Sequence, residues 1–513
     1  MKIKALKLQN FRGYKTETII DFEDLTAFVG KNDVGKSTVL EALDIFFNEG
    51  KGVVKIDKAD VNIYAAKEND LETIIAVVFS ELPDRIVIDS TVETSLRDEY
   101  MLNADNNLEV VKKYKNAGSP KVFIRAMHPS CSNCCDLLLK KNADLKKIIQ
   151  AHNINCDNQA INSFMRRAIW GYFSGNLEIS ETEIDLSKED AKAIWDKISL
   201  HLPVFSLFQS DRKNSDDDNE IQDPLKEAVK QILKDNEIQT SLETIANEVH
   251  NKLQEVAKRT LDKLREMDLN VANSLNPKIP SVQNLKWQDV FKGVSIAGDE
   301  DIPINKRGSG VKRLILLNFF RGEVERRSEE GGNTGVIYAI EEPETSQHSD
   351  NQIKLIEALK KLASMSNIQV IITTHSSVIV KQLKYSNIKL IMDTENGKSV
   401  KRVEIGQLRY PSLNEVNFLA FEEATEEYHD ELYGLIEYNG WKKEYKQGKP
   451  TRLYRRNEKD SIKEMQITLT EYIRHQIHHP ENNLNTRYNK QELKQSIDDM
   501  RTFIGERRAG IQE

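Results

Sequence analysis

The sequence predicts an α/β protein: a parallel-sheet core with a β-rich first lobe, interrupted by a helical insertion and followed by a helical C-terminal module. Three observations predict it. A glycine-rich loop joins an apolar run, residues 25–29, to a helical run, residues 37–47. Two later apolar, β-branched runs, 336–340 and 368–372, alternate with helical segments, as a mostly parallel sheet requires. Between them, residues 130–290 are charged and helical in spacing. The implied boundaries are 1–130 and 296–408 for the two halves of one α/β domain, 131–295 for the insertion and 409–513 for the last module.

Taken in order, residues 2–8, 16–22 and 25–29 read as short strands, 73–80 (TIIAVVFS) as a fourth, and 86–126 as further strands with Asn/Asp/Gly turns such as 103–107. Residues 137–149, 158–170 and 188–200 have helical spacing. The long run 225–267 places Leu242, Ile245, Val249, Leu253, Val256, Leu261 and Leu264 three or four residues apart, with one wider gap. It reads as amphipathic helices on the core or as a coiled-coil arm. The acidic run 216–220 reads as a solvated loop. Helices are expected at 311–323 and 352–364.

The chain of 513 residues is 39% hydrophobic and 30% charged, with a formal net charge of −8. That balance is ordinary for a soluble protein, and any nucleic-acid contact must come from local patches. No apolar run approaches the ~18 residues of a membrane span, and the N-terminus has no signal-peptide pattern. The expectation is a cytoplasmic protein with no membrane partner. The four cysteines, Cys131, Cys134, Cys135 and Cys156, fall within 26 residues. Without an export signal a disulfide scaffold is not expected. With His128 and His152 they offer zinc-ligand chemistry, because C-x-x-C suits a tetrahedral site. Reduced thiols in a small helical segment are the plainer reading.

The glycine-rich loop, residues 28–38 (FVGKNDVGKST), fits G-x-x-x-x-G-K-[ST] with Gly30, Gly35, Lys36 and Ser37 in the fixed places. Strand before and helix after make it a P-loop. Its backbone N–H groups, from Gly30, Lys31, Asn32, Asp33, Val34, Gly35 and on to Thr38, can close around phosphate. Lys36 would reach the β- and γ-phosphates, and Ser37 would hold Mg²⁺.

Three late motifs follow in order. Residues 306–313 (KRGSGVKR) open a helix, so Gly308, Ser309 and Gly310 make either an anion site or a plain N-cap. Residues 336–344 (VIYAIEEPE) end a strand in two carboxylates. Glu341 is placed to anchor Mg²⁺ and Glu342 to polarise water as general base, unless the pair only caps the next helix. Residues 371–376 (IITTHS) put His375 just after a strand, where its imidazole can donate to a γ-phosphate.

Residues 10–13 (NFRG), the P-loop, Arg307 to Gly310, the I-E-E-P-E run and Thr374-His375 together resemble the OLD/RecF/SMC-type ABC ATPases. The resemblance is firm over 1–50 and 300–405. It implies ATP and Mg²⁺ as cofactors and Arg12 as a nucleotide ligand. It also implies a head-to-tail homodimer in which the Gly308–Ser309–Gly310 loop meets the partner's γ-phosphate. Single-chain OLD nucleases continue into a Toprim domain, whereas residues 385–513 carry no Asp-x-Asp and Asp393 alone is insufficient. The combination is similar to the PtuA-like ATPases of Septu-type anti-phage systems, including retron-associated ones. Those work in oligomers of ATPase dimers with a separate HNH nuclease. A Toprim-type effector partner and a RecF/SMC-like DNA-repair role are the alternatives.

Two features of the last module stand apart. Residues 441–456 hold seven Lys/Arg against Glu444, interleaved with Trp441, Tyr445 and Tyr454. Cations for phosphates with aromatics for bases make a DNA contact, though a solvated hairpin or a partner surface fits as well. Arg474 and His479, four residues between them, resemble the R-x(4–6)-H motif of HEPN ribonucleases. The plain reading is a helix end stopped by Pro480 with histidines at its C-terminal dipole.

Overall fold

A computed structural model of the chain describes residues 1–30, 35–49, 52–88, 92–209, 229, 232–233, 235–267, 335–345, 347–394, 397–403, 408, 412–421, 423–458 and 461–509. The helix expected at 311–323, the signature loop at 306–313 and P-loop residues 31–34 lie outside them.

The described residues form two six-stranded sheets and a two-stranded hairpin. The first sheet is antiparallel, in the order β2-β1-β4-β5-β6-β7, from Thr18–Asp21, Lys2–Gln9, Glu72–Ser80, Leu108–Lys115, Lys121–Pro129 and Ile179–Asp185. The second runs β12-β11-β3-β10-β9-β8, from Gly397–Arg402, Ile388–Thr394, Leu25–Val29, Ile368–Thr373, Val336–Glu341 and Val204–Phe208. It is parallel except at β12.

Composition explains the second sheet. The side chains of β3 (LTAFV), β8 (VFSLF) and β10 (IQVIIT) are buried throughout. Strands covered on both faces read as continuous apolar runs rather than alternations. Helix α1, Lys36–Asn48, fills one face with Val39, Leu40, Leu43 and Phe46 and packs between the two sheets. On the other face lies a helix at Ser349–Ala363, with Leu355, Ile356, Leu359 and Leu362 as its core stripe.

The segment expected as a helical insertion is not helical throughout. It supplies β7 to the first sheet and β8 to the second, beside β9. The polar sequence of β7 (ISETEID) hides it, because this edge strand leaves most of its side chains exposed or half-exposed. Helices α2, Asn142–Ala151, α3, Asn162–Tyr172, and α4, Glu189–Ser199, pack here, and the long α5 spans Asn236–Met267. Cys131 and Cys134 stand side by side, with their Cα atoms 5.5 Å apart across one turn. Among the described residues no three His, Cys, Asp or Glu side chains are placed to hold a metal ion. The Nδ1 atom of His128 instead faces the Tyr100 carbonyl, 2.9 Å away, and His152 packs on Phe173.

The C-terminal module has its own core: Tyr428, Leu432 and Ile436 of Glu426–Tyr438, Ile473 of Leu469–His478, and Ile497, Met500 and Ile504 of Lys490–Ala509. A hairpin, β13 and β14 at Thr451–Glu458 and Ser461–Thr468, interrupts the helices expected there. Among the described residues no helix is long and apolar enough to cross a membrane.

Candidate nucleotide-binding site

Parallel pairing places the carboxyl ends of β3, β10 and β9 side by side, the edge where open α/β sheets hold ligands. Each end carries one predicted element. The P-loop leaves β3 and enters α1 through Gly35, whose φ of 97° lies in the left-handed region that glycine tolerates. Lys36 is buried and its ammonium donates to the Gly30 carbonyl at 3.0 Å. Gly30 and Thr38 flank it as the sequence predicts; Lys31, Asn32, Asp33 and Val34, and Gly308, Ser309 and Gly310, lie outside the described residues.

The Ser37 hydroxyl donates to Glu341, 304 positions later. A hydroxyl and a carboxylate meeting at the P-loop are hard oxygen donors, so the residues present fit Mg²⁺. Glu342 turns away from the strand with φ 40°, immediately before Pro343. A non-glycine residue with positive φ is strained by about 1–3 kcal/mol, and a following proline favours extended backbone instead. Two bonds hold the turn: the Glu342 N–H donates to the Thr373 carbonyl and to its hydroxyl, both at 3.1 Å. The Glu342 carboxylate lies 3.2 Å from His375 Nε2, an ion-pair distance whose direction is off that of a hydrogen bond. Burial pushes the His375 imidazole below the usual histidine range; Lys36 pushes the same way and Glu342 opposes. His375 is therefore a neutral imidazole at pH 7.

Glu344 is the residue sequence reasoning quoted but did not use. Its Oε1 accepts from the Thr374 hydroxyl at 2.8 Å and from the His375 N–H at 2.6 Å. Burial pushes its carboxyl above the usual range against those bonds. On the far side of His375, Ser376 donates to Gln352 at 2.6 Å and caps the short helix Ser377–Lys381. His375 is thus gripped before and after. Gln209, just past β8, was also missed; it donates to Glu41 of α1 at 3.2 Å. No motif marked it, and only the pairing of β8 with β9 brings it to this rim.

Arg12, expected as a nucleotide ligand, has φ 47° and is tied to Glu41 and, at 2.7 Å, to Asp60. Asn62 anchors the same loop, its amide donating to the Arg12 carbonyl at 2.6 Å.

The other two candidates change character. In the basic stretch Tyr445 and Tyr454 are buried and Trp441 packs on the core, so they offer no stacking platform. Lys442, Lys446, Lys449, Arg452, Arg455 and Arg456 each pair with a carboxylate: Glu437, Glu471, Asp499, Glu492, Glu464 and Glu458. The stretch is a short helix, Lys442–Lys446, followed by strand β13, with these six cations already paired. On Leu469–His478, Arg474 binds Asp430 and Glu437, both at 3.5 Å, and lies over the Tyr433 ring. The histidine joined to Arg474 through Asp430 is His478, at 3.0 Å, while His479 caps the helix beside Glu481. Residues i and i+4 share a helix face, and i+5 turns away from it.

A phosphate-binding loop on β3, a carboxylate pair ending β9 and an imidazole ending β10 define an ATPase. Residues 1–380 match the AAA ATPase domain family, and the chain belongs to it. Over 440 residues it is 27% identical to the endonuclease GajA of Bacillus cereus (strain HuB5-5), covering 75% of this chain and 59% of GajA. It thus spans about three fifths of that relative's length. Over 439 residues it is 23% identical to the Retron Ec83 probable ATPase of Escherichia coli, covering 79% of this chain and 74% of the relative. Among solved structures it matches the SMC head domain from Thermotoga maritima (12% identity, 79% of this chain, all of that one, TM-score 0.32). It also matches a Pyrococcus furiosus Smc head with an extended coiled coil (12% identity, 78% and 96% covered, TM-score 0.38). The family expected from the motifs is the family found, and the retron-associated branch of the resemblance has a counterpart among these relatives.

Proposed function

We propose that this chain is the ATP-binding and ATP-hydrolysing subunit of a bacterial cytoplasmic anti-phage complex of the Septu (PtuA) and retron-associated kind. ATP sandwiched between two protomers assembles it and gates a separate nuclease, an HNH enzyme acting on DNA. The observation that carries the reading is the convergence of Ser37 with Glu341 and of Glu342 with His375 around one phosphate loop. The names of the relatives, an endonuclease and a retron ATPase, support the defence setting.

In this reading Lys36 leaves the Gly30 carbonyl for the β- and γ-phosphates. Ser37 and Glu341 would hold Mg²⁺, which would neutralise charge on the phosphate oxygens. Glu342, fixed in its strained turn, accepts a proton from the attacking water. Neutral His375 donates toward the γ-phosphate while Glu344 holds its backbone. Arg12 steadies the nucleotide from the rim, and Gly308, Ser309 and Gly310 close the site from the other protomer.

The test is Glu342→Gln. Removing the base should lower turnover by about 10²–10⁴-fold and leave ATP bound in dimers, read by light scattering with and without ATP. Co-expression with the neighbouring gene should then give a complex that cuts plasmid DNA, with cutting lost when the partner's nuclease site is mutated. Wild-type protein with no turnover and no ATP-dependent change in mass would sink the proposal.

A further inference from the structure

The β11–β12 hairpin ends against the loop that carries Arg12. The Lys398 N–H donates to the Gly13 carbonyl at 3.1 Å. A Cβ on Gly397, whose φ is 118°, would sit 2.6 Å from that same carbonyl oxygen. The stem of Lys398 then crosses Gly13 so closely that a Cβ there would lie 2.7 Å from Cγ and 2.9 Å from Cε. Two glycines are needed for this contact to exist.

The stem leads to the phosphate loop. A Cβ on Gly35 would lie 3.9 Å from Lys398 Cε and 3.7 Å from the Thr38 hydroxyl. The side chain is 17% exposed, yet its ammonium pairs with Asp393, its cross-strand neighbour, which is 73% exposed. A lysine–aspartate pair at a surface is worth ~0–1 kcal/mol and does not call for two facing glycines. A compact cation on a flexible stem that passes over Gly35 of an anion-binding loop, paired with an accessible carboxylate, is suited to trade that carboxylate for a phosphate.

Resting on the ATPase reading above, we propose that Lys398 is a phosphate-contacting residue of the nucleotide site. Asp393 is its stand-in ligand until a nucleotide takes its place. Lys398 Cε lies over Gly35, and the backbone N–H groups of a glycine-rich loop cradle the α- and β-phosphates. Lys398 therefore serves the diphosphate, and ADP and ATP depend on it alike. Asp393, being like-charged to the ligand, opposes binding.

Dissociation constants of the full chain for ADP and for ATPγS, by calorimetry, test this. Lys398→Met keeps the stem and removes the charge; both nucleotides should weaken roughly tenfold, the size of one charge-assisted hydrogen bond. Lys398→Arg should recover most of the loss, and Asp393→Asn should tighten both. Unchanged affinity in Lys398→Met overturns the inference, as does Asp393→Asn weakening binding as much as Lys398→Met, since the pair would then be structural. Loss confined to ATPγS overturns the placement on the diphosphate. If Lys398→Met fails to melt like the wild type, the Arg and Asn variants decide. A wild type that binds neither nucleotide overturns the ATPase proposal along with this one; wild-type binding with insensitive variants overturns this one alone.

Discussion

Glu344→Ala should damage both folding and hydrolysis, in amounts the geometry sets. One carboxylate oxygen accepts two bonds, from the Thr374 hydroxyl at 2.8 Å and the His375 N–H at 2.6 Å. Each such bond contributes about 1–1.5 kcal/mol if Glu344 is protonated and up to ~3 if it is ionised. Deleting the side chain also leaves two buried donors without their acceptor, so a loss near 3 kcal/mol is expected. His375 then loses its forward anchor, and a shift of ~1 Å at such a group costs about 10²-fold in rate. Glu344→Gln keeps an acceptor in place and should cost about 1 kcal/mol and less than ~10-fold in turnover. A further sign follows from the raised carboxyl of Glu344, whose folded value lies above its unfolded one. Such a group weakens the fold as pH rises from the ordinary carboxylate value toward the raised one. Glu344→Gln removes that loss, so its deficit against wild type should shrink at the higher pH. Urea melts at pH 5 and 8 and a phosphate-release assay measure all of this. Glu344→Ala with wild-type turnover and midpoint would refute the reasoning.

Burial holds His128, His375 and His429 below the usual histidine range, so below about pH 6.5 the unfolded chain binds protons that the folded one refuses. The histidines' contribution should be flat above that pH and fall as pH drops below it, by up to ~1.4 kcal/mol per pH unit for each such group; equal urea midpoints at pH 7.5 and 5.5 in the Glu344→Gln background, where the opposing carboxyl is gone, would contradict this. In the C-terminal core, Ser496 sits between His429 Nε2 at 3.0 Å and the Thr470 hydroxyl at 2.8 Å, with Tyr445 next in the chain at 2.8 Å. Ser496→Ala should cost about 1–3 kcal/mol with ATP affinity retained, and a melt indistinguishable from wild type would show the chain to be energetically idle.

The parts of the fold that were legible are those whose burial is one-sided in its demands. Strands β3, β9 and β10 are covered on both faces, so mostly apolar residues serve there, and the sequence shows it as continuous apolar runs. Strand β8 is as buried, but five residues of VFSLF fit a helix as well as a strand. The hairpin at Thr451–Glu458 buries one residue, Tyr454, per eight, so no alternation marks it and its charges read as a patch. The site divides the same way. Lys36, Ser37, Glu341, Glu342 and His375 were visible because each follows an apolar strand in a spaced motif. Glu344, Gln209 and Lys398 act through positions that only strand order and close backbone contact bring together.

Strand order also explains why three glutamates within four residues can differ in role. The P-loop strand and the Glu341 strand are not neighbours; β10 lies between them. A carboxylate that is to meet Ser37 must therefore stay in line with β9, as Glu341 does, level with Thr373 of β10. The next residue must leave the sheet, and Glu342 does so by adopting positive φ and donating its N–H to Thr373. That turn swings the chain over the end of β10, which is where Glu344 finds Thr374 and His375. Thr374 in turn donates its N–H to the Phe28 carbonyl of β3, at 3.1 Å. One continuous set of bonds thus ties the three strand ends together through the E-E-P-E turn. The strain at Glu342 is the geometric consequence of serving two strands at once, and relaxing it would cost the alignment of Glu342 with His375 before it cost the fold.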